Sequence, residues 1–131
     1  MKIVQPEGWP SPRGYANGIL ADGPTLYIAG QIGWNERCEF TTDDLIEQFD
    51  QALANVVAVL RAAGAQPEHV VRMTVYVTDL PAYRIGAPKL KEPWRRHFGR
   101  HFPAMALVGV AGLVEPRAKV EIEATAVLPR A

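Results

Sequence analysis

Residues 120–127, Val-Glu-Ile-Glu-Ala-Thr-Ala-Val, alternate apolar and polar side chains with a period of two, the pattern of an extended strand with two unlike faces. Val120, Ile122, Ala124 and Ala126 share one face, and Glu121 and Glu123 share the other. The first face is core and the second is chemistry or solvent. A similar run, His101-Phe102-Pro103-Ala104-Met105-Ala106-Leu107-Val108-Gly109-Val110, precedes it across a short loop. Val71, Met73, Val75 and Val77 alternate with Arg72, Thr74, Tyr76 and Thr78, giving a third strand with one buried face.

Between these strands the period changes. Leu45, Ile46, Phe49, Leu53, Val56 and Leu60 fall on one stripe at helical spacing, which predicts a helix from about Asp43 to Ala63. Thr41 or Thr42 is expected to cap its start, Asp43 and Asp44 suit its positive end, and Gly64 suits its stop. A second helical region is expected from Leu80 to Phe98, divided or kinked by Pro88 and Pro93. Nearer the amino terminus, Lys2 to Gln5 reads as a short edge strand and residues 6–12 as a stiff entry loop. Tyr15 to Ala21 and Thr25 to Gly30 read as strands joined in a hairpin at Asp22-Gly23-Pro24, with Gly18 as a bulge or close approach. The order strand, strand, helix, strand, helix, strand, strand implies an α+β fold with helices layered on one sheet face.

A chain of 131 residues makes one domain, residues 1–131, with enough buried surface for a core. Fourteen basic residues balance fourteen acidic ones, which argues against a nucleic-acid partner or an anionic membrane surface. The first ten residues have neither signal-peptide nor transit-peptide character, and no apolar run is long enough to span a bilayer. The single cysteine, Cys38, suits a reducing compartment, so the expected location is cytoplasmic.

Taken with Gly14-Tyr15 and Leu26-Tyr27-Ile28-Ala29-Gly30-Gln31-Ile32, the two C-terminal strands give a chain that resembles the RidA/YjgF family from about Tyr15 to Val127. The best-known members hydrolyse reactive enamines and imines. The resemblance implies a mixed sheet with two helices on one face, and a homotrimer binding a small molecule in clefts between subunits. No cofactor and no metal are expected. In the deaminating members a strand glutamate positions the attacking water and an arginine grips the substrate carboxylate. A tyrosine, a Ser-Gly-Gln turn and a helix asparagine shape the pocket. Carried across, the glutamate matches Glu121, the tyrosine Tyr15 and the turn Ala29-Gly30-Gln31, while the asparagine falls at Ala87 and the arginine at Met105.

Methionine has no donor and cannot replace the two-pronged contact that arginine makes to a carboxylate. A lost contact to a charged group is worth roughly 1.5–3 kcal/mol, or one to two decades of affinity. The resemblance therefore implies an altered substrate range, with another cation substituting or a ligand that is less anionic. Arg13, beside Gly14-Tyr15, is the candidate substitute, or else a solvated loop residue.

Each sharper reading has a plainer one beside it. Glu121 directs water, or is a solvent-facing strand glutamate or part of a trimer salt bridge, and Glu123 takes a structural role first. Trp34 walls a pocket or packs at a subunit contact. His97 and His101 stand four apart without a third metal ligand, and His69 reads as a surface residue. Lys89, Lys91, Arg95, Arg96 and Arg100 form the one basic cluster, read as a solvated helix face in preference to an RNA site. Cys38 sits among acidic neighbours that do not favour a thiolate. The leading function is hydrolysis of an enamine or imine; the alternatives are a non-catalytic small-molecule binder on the same scaffold and an RNA-interacting protein.

Overall fold

In a computed structural model, which describes residues 1–130, the chain runs β1 (Lys2–Val4), β2 (Gly18–Leu20), β3 (Thr25–Ile32), α1 (Leu45–Ala62), β4 (Val70–Val77), α2 (Leu80–Gly86), α3 (Lys91–Phe98), β5 (Ala104–Gly109) and β6 (Val120–Val127). β6 pairs antiparallel with both β3 and β4, and β4 pairs parallel with β5, giving a mixed sheet of order β3-β6-β4-β5. A parallel pair needs a long crossover, and the α2–α3 segment supplies it. β1 and β2 form a separate two-stranded ribbon.

α1 covers one face of the sheet because its apolar stripe has nowhere else to go. Phe49, Leu53, Val56 and Leu60 are buried against Met73 and Val75 of β4 and Val120 and Ile122 of β6. Leu53 and Leu60 have no exposed surface, and truncating either to alanine would cost about 2–5 kcal/mol. α1 closes with the Ala65 amide donating to the Leu60 carbonyl at 2.8 Å and Gly64 at φ 74°, a left-handed exit that glycine adopts without strain. α2, a 3₁₀ turn at Ala87–Leu90 and α3 follow without an intervening loop, as the two prolines predict. Among the described residues no helix is long and apolar enough to cross a membrane.

The structure corrects three local expectations. The α1 cap is Asp44, whose carboxylate accepts from the Glu47 amide at 2.9 Å. Thr42 stands one step further out, accepting from the Asp44 amide and donating to Glu47 Oε1. The hairpin at Asp22-Gly23-Pro24 does not form: β2 pairs with β1, and β3 pairs with β6. Residues 22–24 are instead held by the exit of β6, where the Leu128 amide donates to the Pro24 carbonyl and Arg130 pairs with Asp22. A Cβ on Gly23 would lie 1.9 Å from the Leu128 carbonyl oxygen, so this turn is a close crossing of two chain segments. Finally, the bulge lies at Ala29–Gly30 and not at Gly18, which opens β2.

Candidate functional site

The alternation of β6 works as its sequence implies. Ile122 and Ala124 are buried on the helix side, while Glu121 is half-buried and Glu123 exposed on the open face of the sheet. The two carboxylates differ in what they touch. Glu123 Oε1 accepts from the Tyr76 hydroxyl at 2.8 Å, and this bond is the main reason the Tyr76 hydroxyl is harder to ionise than usual. Glu121 makes no side-chain hydrogen bond among the described residues, so its oxygens are free to hold a water or a substrate proton.

Glu121 reaches over β3 where the strand loses its regular pairing. Ile28 pairs with Ala124 and Gln31 with Ile122, so Ala29 and Gly30 together face the single residue Glu123, a β-bulge. The bulge leaves Ala29 and Gly30 exposed, and the Glu121 side chain lies against the bare α-carbon of Gly30. Gln31 Nε2 donates to the Ala29 carbonyl at 3.1 Å and stiffens the turn. The geometry gathers Glu121, Ala29, Gly30 and Gln31 at one place. The open face beside them carries a hollow of about 420 Å³ lined by Tyr27, Arg72, Thr74 and Glu123.

The start of β6 is itself pinned. Gln48 of α1 is fully buried, donating from Nε2 to the carbonyls of Thr42 and Arg117 and accepting at Oε1 from the Lys119 amide at 2.8 Å. Both its amide hydrogens and its oxygen are engaged, and the strand that carries Glu121 begins one residue later. Gly33 makes room for it, since a Cβ there would meet Gln48 Cβ at 2.5 Å.

Met105 lies on the other side of the sheet. It pairs with buried Met73 in the β4–β5 register and packs, with Leu107, against the helix-side core. There it lines a cleft of about 450 Å³ together with Gly14, Ala87, Trp94 and Phe102. Tyr15 runs along the β5 edge, where its neighbour Ala16 bridges Ala104, and it borders a smaller hollow of about 180 Å³ with Arg72, Met105 and Ala106. Within one chain the sequence-derived site residues thus fall into two groups. Met105 and Ala87 belong to the helix-side cleft with Gly14, while Glu121, Ala29, Gly30 and Gln31 lie on or beside the open face.

The remaining candidates are placed elsewhere. Arg13 is exposed and outside the cleft lining, although Gly14 next to it is part of that lining. Trp34 packs on Phe40 at 5.8 Å between ring centres, and its carbonyl accepts from Asn55 Nδ2 at 2.7 Å. His97 Nε2 contacts Asp50 Oδ1 at 2.6 Å, His101 Nε2 contacts the Val70 carbonyl, and His69 Nδ1 accepts from the Gln66 amide. These rings do not converge. Cys38 is exposed in a turn organised by Asn35 Oδ1, which accepts from the Arg37 and Glu39 amides.

Two features escaped the reading of the sequence. Arg72 lines both the open-face hollow and the Tyr15 hollow, a placement invisible until β4 is set between β5 and β6. The second is the division of the basic cluster. Arg96 is held in paired contacts by Asp50 and Glu92, whereas Lys91, Arg95 and Arg100 line the helix-side cleft. The spacing 87, 91, 95 could have shown this, since it places three residues on one face of the helical segment.

A family model described as Endoribonuclease L-PSP matches residues 10–128. A 2-iminobutanoate/2-iminopropanoate deaminase of Dermatophagoides farinae is 33% identical over 128 residues, covering 97% of this chain and 96% of that protein. The human protein of the same name is 33% identical over 114 residues, covering 86% of this chain and 79% of its own. Among solved structures, the Rid-family protein YyfB of Yersinia pestis superimposes with a TM-score of 0.81 at 36% identity, covering 97% of this chain and 98% of that one. E. coli TdcF, solved with bound serine, gives a TM-score of 0.71 at 30% identity, covering 98% of this chain and all of that one. With the fold, the β6 glutamate and the β3 glycine turn already in place, these matches show that the chain belongs to the RidA/YjgF family.

Proposed function

We propose that this protein hydrolyses a small enamine or imine in clefts shared between copies of a homotrimer, with Glu121 as the acid/base residue. The observation that carries the reading is the free carboxylate of Glu121 held over Gly30, while Glu123 is committed to Tyr76. In this mechanism Glu121 takes a proton from water as the water oxygen bonds to the imine carbon. It returns that proton to nitrogen, giving a carbinolamine, and then carries the carbinolamine hydroxyl proton to the same nitrogen as the C–N bond breaks, leaving a carbonyl compound and ammonia. The exposed amides of the Ala29–Gly30 bulge orient the substrate, and Tyr15 closes the cleft at the β5 edge. The names of the relatives support an imine substrate.

The division of the site supports an assembly of more than one chain, and the resemblance implies that it is a homotrimer. Glu121 and Met105 lie on opposite sides of one sheet, so a single chain does not surround a substrate with both groups. A neighbouring copy that brings its open face to the cleft would complete the site, as closed cyclic symmetry allows. The small-molecule ligand would sit there, with no cofactor called for by the chemistry.

Met105 sets the substrate range. It offers the cleft no donor, so simple 2-imino acids are expected to react slowly, and Met105→Arg is expected to raise their hydrolysis relative to uncharged imines. Turnover of a panel of imines, charged and uncharged, by the parent and by Met105→Arg tests the reading. A parent without activity on every imine would favour the second reading, a binding protein on the same scaffold, which the apolar Met105 also suits.

A further inference from the structure

The basic cluster that sequence alone leaves as a solvated helix face is split by the fold, and its larger part has no carboxylate partner. Lys91 and Arg95 stand one helical turn apart on α3, continuing the face begun by Ala87, and Arg100 follows from the loop after Gly99. All three line the same cleft as Met105, and none is ion-paired among the described residues. No aspartate or glutamate lines that cleft among the described residues. Glu92, the acid on the same helix, faces away and is held by Arg96.

The position of Arg100 is built. Trp94 stacks on Phe98 at 4.7 Å and lies parallel to Phe102 at 5.5 Å, with only 3° between the two planes. Trp94 Nε1 donates to the His101 carbonyl at 3.1 Å. These contacts clamp residues 99–102 to α3 and hold the Arg100 backbone at the cleft rim. Beneath the cations the walls are apolar and aromatic: Trp94 and Phe102 on one side, Phe49 stacked with Tyr83 at 6.4 Å on another, and Met105 and Leu107 on the floor. A volume of about 450 Å³ falls within the range of small-molecule pockets.

We propose that this cleft takes an amphipathic organic anion, an acid group read by Lys91, Arg95 and Arg100 and an aromatic or branched aliphatic body seated on Met105, Leu107 and the aromatic walls. The inference rests on the reading of this cleft as the ligand site and names the ligand class for it. The cation absent from β5 is supplied by α3 and the loop after it. The volume of about 450 Å³ and the apolar and aromatic lining suit a larger acid than serine-sized or pyruvate-sized compounds.

Calorimetric titration of the intact protein with 3-phenylpropanoate, its neutral isostere 3-phenylpropanamide, and acetate tests the assignment. The acid is expected to bind at least about ten-fold tighter than the amide, and acetate weakest. The preference should weaken in high salt, because the three cations are exposed. The triple variant Lys91→Gln, Arg95→Gln, Arg100→Gln changes surface residues only, and helical circular dichroism checks its fold. It should bind acid and amide alike. Equal binding of acid and amide by the parent, a preference that survives the triple variant, or binding of neither aryl compound would overturn the proposal. Failure of the hydrolase reading shows separately, as an absence of imine turnover with the acid preference intact. That outcome supports the ligand class and assigns the cleft to a binding protein.

Discussion

The carboxyl carbon of Glu121 lies where a Cβ on Gly30 would come within 2.7 Å of it, so the glycine is the seat on which the glutamate rests. Gly30 has no positive φ, and alanine there suits the backbone. Gly30→Ala is therefore expected to push the Glu121 side chain aside while leaving the sheet folded. Imine turnover should fall by roughly one to two decades with little change in melting temperature, since a small displacement of a reacting group is costly. Steady-state rates and thermal unfolding of the same sample check both halves.

The two β6 carboxylates are separable for a structural reason, the hydrogen bond from Tyr76 to Glu123. Glu121→Gln keeps size and removes the base, so turnover should drop by roughly two to four decades in a folded, assembled protein. Glu123→Gln should change stability or assembly more than rate. Unchanged turnover in Glu121→Gln with a large loss in Glu123→Gln would move the chemistry to the second glutamate.

Gln48 holds three backbone groups from inside the protein. Gln48→Leu leaves the Lys119 amide and the Thr42 and Arg117 carbonyls to find other partners. It should cost about 1–3 kcal/mol for unsatisfied buried groups, measured by denaturant unfolding. Because Lys119 precedes β6, activity should fall further than stability alone explains.

Asp50 links α1 to α3 through Arg96 and His97. The paired contact from Arg96 is the main cause holding the Asp50 carboxyl below the usual aspartate range. A depressed carboxylate contributes stability above the unfolded-state value, near pH 4, and loses it as the pH falls through the folded-state value. Asp50→Asn should lower stability at pH 7 by about 1 kcal/mol or less, given the exposure of the pair. Unfolding measured down the acid range should show the gap between parent and variant closing below about pH 4.

The long helix, the three alternating strands and the divided second helix were legible because each depends on local period and on proline chemistry. Asp-Gly-Pro looks like a turn between strands wherever it stands, so the sequence predicts a β2–β3 hairpin, and only the position of Leu128 shows that two segments cross there. Glu121 and Gly30 were legible as a family pattern, yet their contact depends on the bulge at residues 29–30, which pairing with β6 creates. Adjacency in sequence to Tyr15 points to Arg13 as the compensating cation. The crossover also brings Lys91, Arg95 and Arg100 to the cleft, a consequence of the parallel β4–β5 pair that sequence adjacency does not show.

In the proposed assembly Glu121 of one copy serves the Met105 cleft of another, and subunit complementation distinguishes this from a site within one chain. Glu121→Gln removes the base, and Ala87→Trp fills the cleft; each alone should be nearly inactive. Chains of the two kinds, assembled together at random in equal amounts, pair an intact Glu121 with an open cleft at about one site in four when sites lie between neighbours. The hybrid is expected to recover about a quarter of the parent's imine turnover. A hybrid no more active than either variant alone would contradict it and place both groups of the site in the same chain.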